Sequence, residues 1–369
     1  MTTVLISGAS VAGPALAYWL HRHGLTPTVV ERAPAPRPGG QAIDVRGVAL
    51  DVAERMDILE PLRRVRTRMR GMSVLDGDGA EIMRSTEHTY SSGPLDGDDI
   101  EVLREDLTGL LYERTAASTE YLFGDSIAAL EQDEHGVRVE FERAAPRTFD
   151  LVIGADGLHS TVRRLAFGPE AGFTRHLGMY VAVFTAENLL DLADWQVWIR
   201  DGDAGGGIYP ARGNTELRVN LGFASEPLAF DHRDLDAQRR ILAERLGGMR
   251  WEIPRLLSAM WKAPDFYFDA MAQIHLPSWS RGRITLAGDA GYCASPLSGQ
   301  GTSLALVGAY VLAAELAAAD GDHRRAFARY ERRMRPFAER NQALATENPG
   351  GPASQESVDL AKNAIALDG

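Results

Sequence analysis

Cysteine and lysine are almost absent from this 369-residue chain: Cys293 is its one thiol, and Lys262 and Lys362 are its only lysines among 39 basic residues. A lone thiol forms no internal disulfide, so packing must hold the fold, and the composition suits the cytoplasm. A basic excess is also missing. The net charge of -12 argues against nucleic acid or an anionic membrane as partner. No basic segment precedes the first apolar run, so no targeting signal is visible. The longest apolar stretch, residues 304–319, is interrupted by Glu315 and is too short to span a bilayer, which predicts a buried core helix. Repeats and low-complexity segments are absent. The nine histidines show no ligand spacing; His21 and His23, two apart on a helix, point away from each other, so no metal is expected. No nucleophile turn accompanies a Ser-His-Asp set.

What the chain does have is glycine paired with acid, in three places. The first is Gly8-Ala9-Ser10-Val11-Ala12-Gly13, with Glu31 downstream. Residues 2–6 read as an apolar strand, and residues 11–23 carry Val11, Ala15, Leu16, Trp19 and Leu20 on one helical face. Glycines at that join permit a tight turn and let a pyrophosphate approach the helix N-terminus, where free N–H groups and the helix dipole favour negative charge. A second strand, residues 27–30, ends at Glu31, where an acid binds an adenosine ribose, and Arg32 follows it. The middle position is Ser10 rather than glycine, which crowds the backbone slightly and adds a hydroxyl.

The other two clusters are Gly154-Ala155-Asp156-Gly157 and Gly288-Asp289, the latter followed by Pro296 and Gly299-Gln300-Gly301. A nicotinamide dehydrogenase needs no second acid some 250 residues on. FAD does, because it runs the length of a domain and needs an acid for its ribityl chain and backbone amides at its ring. Residues 284–287 read as a strand with Asp289 at its carboxyl end, and residues 301–319 as a helix whose N-terminus would face the flavin pyrimidine and favour its anionic reduced form. Cys293, between Asp289 and Pro296, reads as a small apolar loop residue rather than a covalent flavin anchor.

On these motifs, residues 3–340 resemble the group A flavoprotein monooxygenases, the para-hydroxybenzoate hydroxylase-like enzymes that include tetracycline-modifying monooxygenases. The resemblance implies FAD as cofactor and NADPH or NADH as co-substrate. It further implies that O2 adds to the reduced flavin as a C4a-hydroperoxide, whose distal oxygen passes to an aromatic or polyketide substrate. In that family the segment running from Asp156 and Gly157 to Arg163 serves FAD and the nicotinamide nucleotide. Arg104, opening a helix over residues 104–115, matches an arginine against the FAD phosphate and ribityl region; Arg46 matches one near the pyrophosphate and nicotinamide path; Pro296 matches the proline beside the hydroperoxide. Tyr292 stands where histidine is common and Ser303 where asparagine is common, which puts a proton relay and a ring contact there in doubt. A halogenase of similar fold relies on an early lysine that this chain lacks, and Trp195-Gln196-Val197-Trp198 is not its tryptophan motif. Two other functions stay open at this point: a flavin reductase or dehydrogenase of the same fold, and a flavin-bearing binding protein without catalysis.

The fold class expected is α/β, a Rossmann-like discontinuous FAD-binding domain with an inserted, mostly antiparallel sheet for substrate. The expected boundaries are 1–70, 98–170 and 282–345 for the first, 71–97 and 171–281 for the second, and 346–369 as a C-terminal tail with a helix. Residues 179–185, 195–199, 207–210, 217–223 and 266–274 read as strands, joined by 71–76 and 81–84, with a helix over 236–246. In 217–223 the odd positions are apolar, so Arg218, Asn220 and Gly222 share one face. That face is either the substrate wall or a solvated exterior. As a wall it would make Arg218, Asn220 and Tyr209 catalytic candidates beside Arg46 and Pro296, with Tyr180, Trp198, Phe223 and Tyr267 as further ring contacts. Towards the C-terminus, residues 323–346 read as a charged helix, 348–352 as a breaker and 354–367 as a last helix. A monomer or homodimer is expected.

Overall fold

The computed structural model describes residues 2–348 and 351–368, so Pro349 and Gly350 of the expected breaker lie outside the described residues. Two sheets organise the chain. The first runs Ser280–Arg281, Ile284–Leu286, Leu151–Gly154, Thr3–Ser7, Thr26–Glu31, Glu120–Phe123, parallel except at its first edge pair. Its strands come from separate stretches of chain, and Thr3–Ser7, Leu151–Gly154 and Ile284–Leu286 each lead into one of the glycine-acid clusters. Val4, Leu5, Ile6, Val152 and Ile153 are fully buried, the near-continuous apolar reading that a parallel sheet covered on both faces requires.

One cover is the Ala12–Arg22 helix, and against it lies the Gly301–Ala318 helix. The latter is apolar all round and long enough to cross a membrane, but 72% of it is buried inside the protein. Leu304, Leu306, Val307 and Leu312 are inaccessible there, each worth ~1.5–3 kcal/mol of hydrophobic stabilisation. The His323–Glu347 helix packs outside it.

The second sheet orders Tyr267–Ile274, Thr174–Glu187, Glu216–Ala224, Ala204–Ala211, Gln196–Asp201, Met72–Leu75, Glu81–Ser85, antiparallel save for the pair of Gln196–Asp201 with Met72–Leu75. Its pleat sends Phe184, Ile199, Ile208, Val219 and Phe268 to one side, under the Leu235–Leu246 and Ile253–Met260 helices. The other side faces Gly40, Ala42, Glu105 and Ser295 of the rest of the chain. The last helix is shorter than expected, Gln355–Lys362; the chain beyond it is held instead by a bidentate pair of Arg55 with Asp368, at 2.8 and 2.9 Å. The Ala42–Val45 and Ile100–Leu103 pair and a three-stranded sheet of Ile127–Gln132, Val137–Phe141 and Arg147–Phe149 had no counterpart in the sequence reading.

Candidate active site

The cradle is built where Thr3–Ser7 meets the Ala12–Arg22 helix. Gly8 has φ +106°, and a Cβ there would lie 2.4 Å from the Ala155 carbonyl oxygen, so only glycine lets the first and second clusters touch. Glu31 reaches back across the join, accepting from the Ala9 and Ala33 amides, each at 2.8 Å. Ser10 is half-buried at the helix start beside Gly13. Arg32 is exposed beyond Glu31 and lines a cleft of about 370 Å³ with Thr161, Arg164 and Arg233.

Asp156 holds the second loop together. Its carboxylate accepts from Ser7 at 3.2 Å, from Ser160, and from the Val162 amide at 3.1 Å, ordering the turn at Gly157 and the start of the Thr161–Phe167 helix. Arg104 packs against Gly40 and donates to the Gly39 carbonyl at 3.0 Å. Burial, together with Arg37, lowers its pKa to about 10, while Glu31 nearby favours its charge. Asp289 begins a short turn after Ile284–Leu286, beside the first residue of the Gly301–Ala318 helix, and burial raises its carboxyl above the usual range.

Between them, residues 295–301 form the inner loop. Ser295 has φ +73° and caps the turn Pro296–Ser298, which leaves Pro296 and Leu297 projecting. Gln300 is inaccessible, yet neither of its side-chain polar atoms has a partner. Arg46 runs along this loop, its guanidinium 3.7 Å from where a side chain on Gly299 would begin, and its amide donates to Ser303 at 3.0 Å. Ser303 thus ties the end of the Ala42–Val45 strand to the helix. Tyr292 turns into the core, its ring 4.5 Å from Trp279 and its hydroxyl 2.9 Å from that of Tyr330.

Across from the loop stands the polar face of the second sheet. Register puts Thr185, Arg218 and Tyr209 in one row and Val183, Asn220 and Gly207 in the next. Arg218 corrects both readings of that face. It is 2% exposed, so it is not solvated, and each of its three guanidinium nitrogens is engaged by protein: Nε by the Gly40 carbonyl at 3.0 Å, Nη1 by Thr185 and Glu216 at 2.8 Å each, and Nη2 by Glu105 at 2.9 Å. Tyr209 is also committed, accepting from the Ala42 amide at 2.7 Å. Asn220 remains half-buried, with a long contact to the Gly207 carbonyl at 3.5 Å and the Tyr209 hydroxyl beside it. Among the aromatics, Tyr180 and Phe223 belong to the core under the helices, stacked with Phe268, and are not ring contacts. Trp198 and Tyr267 keep exposure on the inner face. The Trp198 indole covers Gly207, where a Cβ would lie 2.8 Å from the ring, and its N–H donates to Gln196 at 3.0 Å.

Two groupings were not legible from spacing. His159, His232 and Asp269 bring donor atoms within 4.8 Å of one another, so the histidines do converge, contrary to the expectation of no ligand set. There His159 lies 2.8 Å from Glu170 and 2.8 Å from Asp269; burial opposes its charge, but the two carboxylates outweigh it and hold its pKa at about 10. It thereby clamps the Asp156-Gly157 segment to the Tyr267–Ile274 strand. The second grouping is Asp44, Arg46 and Glu101, all buried. Asp44 lies on the Ala42–Val45 strand and Arg46 one residue past its end, and nothing in the sequence sets Glu101 opposite Asp44.

These residues fit FAD: a cradle that a side chain at position 8 would fill, acids at both ends, cations between them, and the orphaned amide of Gln300 at the inner loop. Comparison with known proteins agrees. The FAD binding domain family matches residues 1–345. The chain is 54% identical to a Mycobacterium tuberculosis protein over 100% of this chain and 99% of that one. A flavin-dependent monooxygenase of Legionella longbeachae is 39% identical over 92% of this chain and 86% of the relative. The crystal structure of tetracycline destructase Tet(51) superposes with a TM-score of 0.90 at 34% identity, covering 100% of both chains. FAD is therefore the cofactor, with NAD(P)H and O2 as the co-substrates general to such enzymes, and the chain belongs to the FAD-dependent monooxygenases.

Proposed function

We propose that the chain oxygenates a fused-ring aromatic of polyketide type in the gap between residues 295–301 and the Asn220 face. The glycine cluster 8–13, Glu31, Arg104, Asp289 and the 296–301 loop hold FAD, which when bound supplies the electron transfer from NAD(P)H and the activation of O2. Residues 1–70, 98–170 and 282–345 form this unit, and 71–97 with 171–281 carry the substrate wall. The observation that carries the reading is the wall itself: Asn220, half-exposed beside the Trp198 indole, on a face whose Met271 lies 3.9 Å from Ser295 of the inner loop. Trp198 is fixed by Gln196, which donates in turn to Ser91 at 2.6 Å, so a flat apolar surface is ready for a planar polycycle. Asn220 supplies a donor and an acceptor for ring oxygens. Pro296 and Leu297 project from the opposite side and keep water from the reacting carbon. The cleft of Arg32, Arg164 and Arg233 fits the phosphates of the nicotinamide nucleotide.

Tetracycline is the first probe, since the similar Tet(51) is a tetracycline destructase. The test is NADPH oxidation by the FAD-loaded protein with tetracycline and other aromatic polyketides under 18O2. One of them is expected to stimulate oxidation and gain label, and Asn220→Ala and Trp198→Ala are expected to raise KM and lower product per NADPH at unchanged FAD content. Absence of label with every probe, or a KM indifferent to both variants, refutes the placement.

A further inference from the structure

Behind the inner loop lie two acids that the cradle does not use, Asp44 and Glu101, beside Arg46 and Gln300 at its edge. Asp44, Arg46, Glu101 and Gln300 are 8%, 7%, 5% and 0% exposed, and each keeps a buried polar atom without a partner. Native interiors rarely tolerate this unless a proton, water or ligand completes the set. Asp44 and Glu101 stand directly opposite each other in the antiparallel pair of Ala42–Val45 with Ile100–Leu103. One cation is bonded into the pair, Arg46, at 2.9 Å from Asp44. Two carboxylates facing each other out of water, with one guanidinium bonded to Asp44, are poised to take up a proton when further negative charge arrives.

Arg46 also faces the loop. The same guanidinium donates to the Ser91 carbonyl at 2.8 Å and borders Gly299, and its amide is bonded to Ser303 in the first turn of the Gly301–Ala318 helix. Negative charge arriving at the loop therefore acts on the acids through a dry interior that screens it little. We propose that Asp44 and Glu101 form a one-proton acceptor for the redox half of the reaction, taking up a proton when FAD at the loop is reduced. FAD takes two electrons and one proton, as hydride from NAD(P)H or as electrons from dithionite with the proton drawn from solvent. A second proton, from solvent, converts one carboxylate of the pair to a carboxyl, leaving Arg46 available to the negative charge on the reduced ring. The inference rests on FAD at the loop and not on the identity of the substrate.

The surroundings support uptake near neutral pH. Asp44 faces Arg46, Glu101 and Asp99; Glu101 faces Arg46 and the hydroxyls of Thr67, Ser91 and Tyr209; Lys362 pairs with Asp99 at 2.9 Å on the outer side. Burial pushes the Asp44 carboxyl up to about 7, and burial raises Glu101 as well. The two titrate as a pair, so the proton belongs to both.

The experiment reduces FAD-loaded wild type, Asp44→Asn and Glu101→Gln with dithionite in weakly buffered solution between about pH 6 and 9. An indicator dye counts protons taken up per two electrons after the acid released by dithionite oxidation, measured with free FAD, is subtracted, and spectroelectrochemistry gives the potential at each pH. Wild type is expected to take up more protons than either variant, the difference approaching one near pH 7, with a steeper fall of potential with pH. Equal uptake by wild type and both variants overturns the proposal. So does a wild type that takes up a single proton throughout, a result that requires no variant to fold. Substrate is absent, so neither result depends on the proposed substrate class.

Discussion

Arg218→Ala is the sharpest probe of how the two sheets are joined. Arg218 reaches from the substrate sheet to Gly40 and Glu105 on the nucleotide side, and to Thr185 and Glu216 on its own. Removing one partner of a buried pair costs ~3–5 kcal/mol when it strands a charge. The acids here are partly relieved: Glu105 keeps Arg212 at 2.6 Å and the Gly39 amide at 2.7 Å, and the Glu105 and Glu216 side chains are 21% and 28% exposed. The lower end, ~3 kcal/mol, is therefore expected. In a chain this long that lowers Tm by about 5 °C. Thermal unfolding of the FAD-loaded protein measures it, and FAD dissociation on dilution should quicken because Gly40 carries Arg104 against it. Arg218→Lys, which keeps charge but not the fork, should fall between. An unchanged Tm together with a raised substrate KM and wasted NADPH would refute the strut and restore Arg218 to the substrate wall.

Asp289→Ala should weaken FAD binding roughly 10- to 150-fold, the worth of a charge-assisted hydrogen bond of ~1.5–3 kcal/mol, read by flavin fluorescence on titration. Gly8→Ala should purify without FAD, since φ +106° and the Ala155 carbonyl at 2.4 Å leave no room for a methyl; a yellow, folded variant would count against the cradle. Acid precipitation should release all flavin, because Cys293 is buried with its thiol held well up by burial; colour left in the pellet would show a covalent link. His159 has a folded pKa of about 10 against an ordinary 6.5, so its clamp stabilises fully below pH 6.5 and is lost as pH rises through 10. Across that window the wild-type Tm should fall more steeply than that of His159→Gln, and parallel profiles would remove the clamp.

The nucleotide half was legible because its chemistry is local. Turn, helix start and acid lie within residues 8–31, so strand, N-terminus and Glu31 were read from neighbours that do touch, and Ala9 does donate to Glu31. The same holds for the Arg104–Thr115 helix, whose limits agree with the pattern. Residues that work through distant partners were not legible. Tyr292 gives no sequence sign that Trp279 and Tyr330 would draw it into the core. Asp44 has an evident partner in Arg46, but Glu101 faces it only because the Ala42–Val45 and Ile100–Leu103 strands pair. His159 meets Asp269 across 110 residues.

The substrate face shows where a pattern argument stops. Alternation along 217–223 places Arg218, Asn220 and Gly222 together, and the register agrees. Alternation offers only two fates for such a face, water or ligand. The structure adds a third, burial against another part of the same chain, because Glu105 lies 113 residues from Arg218 and Gly40 lies 178 away. A guanidinium with five donors in a fixed fork suits that junction, where several acceptors converge without water. Asn220, one row nearer Trp198, has only a long contact to Gly207 and the Tyr209 hydroxyl beside it, and stays partly open to the gap. Recognition is therefore expected to pass to the side chain the fold leaves partly exposed, and the more conspicuous charge serves the joint.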